Sequence, residues 1–390
     1  MTTLLFLVAI TSLLLATHPF VTYPLSLVVL KALRWRPATH EGSAAPATQP
    51  SPVSFAICMC AYNEAAVIED KILNLLQLRD REPGLQIHIY VDAATDRTAE
   101  ILRDYQSQLH LHLSPERHGK TYGMNLLARQ ADADILVFTD ANVMLDISCL
   151  SDLRRHFADP AVGCVCGNLT YTNGSVSVTA STGSLYWRFE EAIKRLEADT
   201  GSTIGADGSI FAVRRELRQA PPDHIIDDMY VSLMVLVAGH RVVQSRDVRA
   251  YEESVTHAGE EFGRKVRIAC QAFNVHRLIW PRLRKLDLLT RYKYVSHKLL
   301  RWVSIYFLVI AAVAFLAALL SADHAVLALL LVAGAALGAL LGSRWSIKPF
   351  AQAVDLLTAL TGTGLGVWRS IRGERFQTWT PANSIRSTTR

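Results

Sequence analysis

The chain has 390 residues, half of them hydrophobic, with a formal net charge of +5 and a mean hydropathy of +0.20. That length holds one catalytic domain of about 250 residues plus membrane segments. Basic residues cluster beside apolar runs, and no basic run of the nucleic-acid type stands out, so the charge reads as a membrane-surface signature more than a nucleic-acid one.

No formally charged side chain precedes Lys31. As a helix rising about 1.5 Å per residue, this stretch reaches roughly 45 Å, enough to cross a bilayer even with bends at Pro19 and Pro24. A cleaved signal peptide fits less well, because Met1-Thr2-Thr3 lacks a positive start and the apolar stretch is too long. Residues 1–36 are therefore expected to form a transmembrane anchor. Residues 37–52, rich in Ala, Pro, Ser and Thr from Gly42 to Pro52, read as a linker.

From residue 53 the pattern changes. Ser54–Cys60 is a short apolar run, expected as a buried strand ending at Asn63-Glu64. Ala65–Leu78 has helical periodicity in Val67, Ile68, Ile72, Leu75 and Leu76. Leu85–Val91 reads as a strand, Thr98–Leu109 and Lys120–Arg129 as helices, and Asp134–Thr139 as a strand running into Asp140. Such alternation predicts an α/β domain over 53–276, Rossmann-like, with a mostly parallel sheet and helices on both faces. Ligands then bind outside the carboxyl ends of the strands, where Asn63-Glu64, Asp92–Asp96 and Asp140–Asn142 collect. Cys58/Cys60 and Cys164/Cys166 are two apart, which places each pair on one strand face as small buried thiols, not as a metal framework.

Residues 277–301 are basic (Arg282, Arg284, Lys285, Arg291, Lys293, Lys298, Arg301) and are expected as interfacial helices. Trp302–Ala322 and Ala325–Ser343 are uncharged and separated by Asp323-His324, a transmembrane hairpin over 302–343. Gly334, Gly338 and Gly342 repeat every four residues, a close-packing pattern. Residues 344–390 hold a weaker apolar stretch, Phe350–Trp368, and a tail; whether that stretch spans is left open. With Lys31, Arg34 and Arg36 after the first span, and Arg344 and Lys348 after the third, the positive-inside rule places 31–301 in the cytosol.

Six short motifs occur in order: Cys60-Ala-Tyr-Asn-Glu64, Val91-Asp-Ala-Ala-Thr-Asp-Arg-Thr98, His118-Gly-Lys120, Thr139-Asp-Ala-Asn142, Gly205-Ala-Asp-Gly-Ser-Ile-Phe-Ala-Val-Arg-Arg215 and Ile226-Asp-Asp228. Together they resemble glycosyltransferase family 2, the GT-A group that includes membrane-bound cellulose, hyaluronan and poly-N-acetylglucosamine synthases. The resemblance runs from about residue 54 to 276. It implies an inverting transferase that moves a sugar from a nucleotide-diphosphate sugar, a UDP-sugar by preference, to a glycan or lipid-linked acceptor.

On that resemblance Tyr62, Asn63 and Glu64 line the nucleotide pocket, Asp92 contacts the base, and Lys120 meets a phosphate. Asp140 and Asn142 occupy the place of the family's metal-binding D-x-D and imply Mg2+ or Mn2+; Asn142 departs from it by replacing a carboxylate with an amide. Asp228 is the expected general base and Asp227 its support. Their adjacency raises proton affinity. Asp207 is expected to meet the incoming sugar, with Tyr186, Trp187 and Glu190 on an acceptor-facing helix. Arg264 and Arg267 fit an R-x-x-R form of the Q-x-x-R-W segment and grip the diphosphate. Ile268 stands where polymerising relatives carry Trp, which puts processivity in doubt. Trp379, in Gln377-Thr-Trp-Thr-Pro381, is expected over the donor.

Two alternatives remain at this point. One is a single-addition transferase acting on ceramide or a polyprenyl-linked sugar. The other is an inactive polysaccharide assembly component, against which the intact Asp92, Asp140 and Asp228 argue. A receptor with a dinucleotide-type domain is disfavoured, since no G-x-G-x-x-G follows the first strand. Sugar, linkage and oligomeric state are not encoded legibly.

Overall fold

A computed structural model of the protein describes residues 1–33, 53–172, 178–253 and 258–379. The expected linker, Arg34, Arg36 and Pro381 lie outside the described residues, as does the side chain of Tyr186.

The first apolar stretch is two helices, α1 (Thr2–Thr17) and α2 (Thr22–Ala32), bent by 60°. The break holds Pro19, and Pro24 sits in the first turn of α2, where its missing N–H costs nothing. The two helices are apolar and long enough to cross a membrane only if taken together.

The central domain carries eight strands: β1 (Phe55–Ala61), β2 (Gln86–Asp92), β3 (His110–Ser114), β4 (Ile135–Asp140), β5 (Met144–Leu145), β6 (Val162–Tyr171), β7 (Ile210–Arg214) and β8 (Arg241–Glu252). Their order is β3-β2-β1-β4-β7-β6-β8-β5. The first four are mutually parallel, and only β7 and β5 oppose the rest, so the sheet is mixed but mostly parallel, as expected. Between the strands lie α3 (Ile68–Arg81), α4 (Thr98–Asp104), α5 (Lys120–Gln130), α6 (Cys149–Phe157), α7 (Val178–Asp199) and α8 (Asp227–Val237).

Alternation along β1 sets the two faces. Ile57 and Met59 point into one apolar core with Ile68, Ile72 and Leu75 of α3. Cys58 and Cys60 point into the other, with Met124 of α5 and Leu233 of α8. Cys164 and Cys166 of β6 join that second core, and all six cysteines are buried free thiols. The helix expected to run to Leu109 stops at Asp104, and His110–Ser114 becomes edge strand β3, paired in register with His88–Asp92.

Downstream come α9 (Ala258–Leu283), α10 (Leu288–Tyr294), a π-helical turn at Val295–Leu299, α11 (Leu300–Ser321), α12 (Ala325–Trp345) and α13 (Phe350–Ile371). The expected boundary at residue 276 falls inside α9, which continues without a break because Val275, Ile279 and Leu283 keep the same buried face. Two described helical stretches are long and apolar enough to cross a membrane, Leu288–Ser321 and Ala325–Trp345. They meet at the expected polar break, where Asp323 turns the chain at φ +61°. Gly342 of α12 lets α13 approach: a Cβ there would lie 2.6 Å from the Phe350 carbonyl oxygen.

In the basic segment 277–301, Arg282, Arg284 and Lys285 are exposed, while its second half turns inward. Lys293, His297 and Arg301 are buried. His297 bonds Glu197 through Nδ1 at 2.8 Å and Glu190 through Nε2 at 3.0 Å; Lys298 reaches Glu190 at 3.2 Å, and Arg301 also bonds Glu190. Acids on α7 take these charges because burial without a partner costs several kcal/mol per ion, on the order of 3–5 for a broken pair. The same network holds α2: the Tyr23 hydroxyl donates to Glu197, and Lys31 pairs with Asp199 at 2.6 Å. Tyr23 and Leu27 are fully buried against Ile193, so α2 is an integral part of the catalytic domain's packing.

Candidate active site

The order β3-β2-β1-β4 makes a topological switch between β1 and β4, because the chain leaves β1 to one side for β2 and β3 and to the other for β4. A crevice opens outside the carboxyl ends of strands at such a point. Asp92 ends β2, Asp140 ends β4 opposite Cys60 in register, and Tyr62–Glu64 follow β1.

Three functional side chains meet around Gly208. A Cβ on Gly208 would lie 3.0 Å from Asp228 Oδ2, 3.1 Å from Lys120 Nζ and 3.9 Å from Asp140 Oδ2. Lys120 Nζ donates to Asp140 Oδ1 at 2.6 Å. Burial opposes its charge, but Asp140, Asp227 and Asp228 outweigh that and hold the ammonium above its ordinary range. Valine at position 208 would drive a side chain into this cradle. Gly208→Val is expected to cut turnover at least about 10²-fold through misplacement of the reacting groups, while a folded far-UV circular dichroism spectrum is retained. Unchanged turnover would refute the cradle.

Asp227 and Asp228 open α8, where Ile226 is extended and the helix beyond is mostly apolar. Both are buried. Burial, and then the neighbouring Asp227, push Asp228 up to about 7; Lys120 and the Met229 N–H, which donates to Oδ1, pull the other way. Oδ2 of Asp227 is buried and accepts no hydrogen bond.

The other end of the crevice is organised by Asp92. It is fully buried, and its oxygens accept from the backbone of His118 (2.7 Å) and Gly119 (3.2 Å) and from Arg117 Nε (3.0 Å). Asp92 thus shapes the loop leading into α5. Gly119 adopts φ +93°, and a Cβ there would collide with the Gln377 carbonyl at 2.1 Å, so glycine serves both conformation and close approach. Arg117 lies over the Tyr62 ring at 3.4 Å and donates to the Trp379 carbonyl at 2.7 Å; Trp379 meets Tyr62 edge-on, with centroids 6.0 Å apart. Asn63, in the left-handed region at φ +54°, accepts from Thr95 N at 2.8 Å. Buried Glu64 donates its backbone N–H to Thr98 Oγ1, and Asp96 accepts from Ala65 N and Thr98 N.

Several of the expected site residues have partners within the protein. Asp207 pairs with the buried Lys194, an ion the sequence did not single out. Trp187 donates to the Leu169 carbonyl at 3.0 Å, and Glu190 serves the cation network below. Asn142 spends its amide N–H on Glu252 at 2.9 Å. Arg267 bonds Gln271 at 3.4 Å, and burial, with Arg264 beside it, lowers its pKa against the opposing pull of Asp140 and Asp228. The sequence also offered no cue to Arg117, whose partners are distant in the chain.

The comparisons agree with this geometry. The glycosyl transferase family 2 profile matches residues 56–220. Poly-beta-1,6-N-acetyl-D-glucosamine synthase of Staphylococcus aureus is 26% identical over 192 residues, 47% of this chain and 46% of that protein. An N-acetylglucosaminyltransferase of a Rhizobium species is 23% identical over 229 residues, 54% of this chain and 51% of its own length. The chain therefore spans about half the length of these curated relatives. Among solved structures, a mannosyltransferase from Pyrobaculum calidifontis, in complex with GDP-Man and Mn2+, aligns over 95% of this chain and 99% of its own with a TM-score of 0.70 at 23% identity. That match shows a shared fold along nearly the whole chain, and residues 56–220 match the glycosyl transferase family 2 domain.

Proposed function

We propose that the protein is a membrane-bound inverting glycosyltransferase that takes a nucleotide-diphosphate sugar, a UDP-sugar first, and glycosylates a glycan or lipid-linked acceptor. The observation that carries this reading is the gathering of Asp228, Lys120 and Asp140 around Gly208 at the switch point. Asp228 removes the proton of the acceptor hydroxyl. The oxygen then bonds the anomeric carbon as the bond to the nucleoside diphosphate breaks, inverting the centre. A base poised near neutrality suits that role. Lys120, with Arg264 and Arg267, faces the departing diphosphate, and Tyr62 and Trp379 enclose the base over the loop that Asp92 orders.

Mg2+ or Mn2+ fits the residues present in one way. Asp140 keeps a carboxylate oxygen toward the cradle and Asn142 keeps its carbonyl oxygen, but no group of three acids, His or Cys assembles among the described residues. Mg2+ is commonly held by one or two carboxylates plus substrate phosphates, so Asp140 and Asn142 would hold the ion together with the diphosphate. Bound there, it would neutralise the leaving charge.

The apolar helices and flanking basic residues support an inner-membrane protein with its catalytic domain cytoplasmic. Exposed Ile268, at the place of the stacking Trp, favours single addition over polymerisation. The test is a screen of nucleotide sugars for release of nucleoside diphosphate, with and without Mn2+, followed by product length. Release from no donor would sink the reading; a long product would sink single addition.

A further inference from the structure

Lys71 of α3 takes no part in the chemistry above, yet it is fully buried. Its ammonium donates to the Val143 carbonyl and to Thr139 Oγ1 at 3.3 Å. These two partners bracket Asp140-Ala-Asn142. Thr139 Oγ1 in turn donates to the Ser209 carbonyl at 2.9 Å, next to Gly208. One ammonium thus joins the turn bearing Asp140 to the loop that floors the cradle.

One helical turn on, Asn74 fastens the next piece of the same segment. Its amide donates to the Leu145 carbonyl and accepts from the Leu145 N–H, both at 2.9 Å. Positions 71 and 74 share a helix face, so α3 grips residues 143–145 twice. Asn74 completes its grip without charge. A lysine is a costly way to bond two oxygens in a core, since burying an ammonium costs several kcal/mol. Burial pulls Lys71 down to about 7, and among the acids acting on it Asp140 is foremost. The charge lies behind the carboxylate, on the core side, while Lys120 meets it from the crevice.

We propose that Lys71 is a positioning residue for nucleotide-diphosphate binding, aiming Asp140 through the Val143 and Thr139–Ser209 bonds and adding buried positive charge behind it. The proposal rests on the donor reading above.

The test is titration calorimetry of UDP, and separately GDP, with Mn2+ on the full chain in detergent. Lys71→Met is expected to weaken nucleotide binding about tenfold, the loss of about 1.4 kcal/mol. Thr139→Val, which cuts the relay to Ser209 but leaves the ammonium on Val143, is expected to weaken it about threefold. Asn74→Ala should lower thermal stability and leave nucleotide affinity within twofold. A folded Lys71→Met protein with wild-type affinity, whatever its melting point, overturns the proposal. So does an Asn74→Ala loss equal to that of Lys71→Met, because fastening alone would then explain it. Should Lys71→Met not fold, unchanged affinity in Thr139→Val overturns it. Failure of the wild type to bind either nucleotide is a different result, which removes the donor reading itself.

Discussion

Asp228→Asn is expected to lower turnover about 10³-fold, within the range for loss of a positioned general base, with little change in nucleotide affinity. The shape is kept while the proton acceptor is lost. In the wild type, kcat/KM should fall as pH drops below about 7, because the base must be ionised and burial beside Asp227 has raised its pKa to about 7. The same shift acts on stability. In the unfolded chain Asp228 ionises near about 4; folded, near 7. Its contribution to stability is therefore complete below about pH 4 and is lost as pH rises to about 7. The asparagine variant lacks that slope, so unfolding midpoints of the two proteins should converge or cross between those values. An Asp228→Asn protein with near wild-type turnover would remove Asp228 from the mechanism.

Glu190→Ala should be among the most damaging substitutions for folding. Glu190 pairs with His297, Lys298 and Arg301, and removing it leaves the Lys298 and Arg301 cations and one His297 nitrogen without that partner. Breaking one buried pair costs about 3–5 kcal/mol, a large part of the 5–15 typical of a domain. For a unit of this size that corresponds to a fall in melting temperature of about 6 °C or more. Glu190→Met combined with Arg301→Met should recover part of the loss, because an apolar pair can replace a buried ionic one at little cost. Equal, additive losses in both single variants and the double would refute a shared network.

Much of the architecture is written locally. The apolar runs at 55–61, 86–92 and 135–140 are short and uncharged up to the acids that end two of them, and they form the strands expected of them. Strand β3 escaped because five residues of alternating His and Leu carry too little period to separate them from the preceding helix. The acids at the strand ends were legible because a strand's end in a parallel sheet is also its ligand edge, and the helix-opening pair Asp227-Asp228 followed from the apolar run behind it. Lys71, Arg117 and Lys194 were not legible. Each is one basic residue in a segment whose pattern is satisfied by any side chain of its length, and its partners lie 13 to 262 residues away.

By itself the sequence determined which segments are apolar, in what order strands and helices alternate, and which acids stand at turns, since these depend on residues within a few positions of one another. Tertiary structure alone decided that Asp140, Lys120 and Asp228 share the space over Gly208, that Asp207 turns to Lys194, and that Lys293, His297 and Arg301 are buried with acids of α7 while Arg282, Arg284 and Lys285 stay exposed. Those outcomes depend on charges brought together by folding, where burial makes each ion's energy a property of its neighbours.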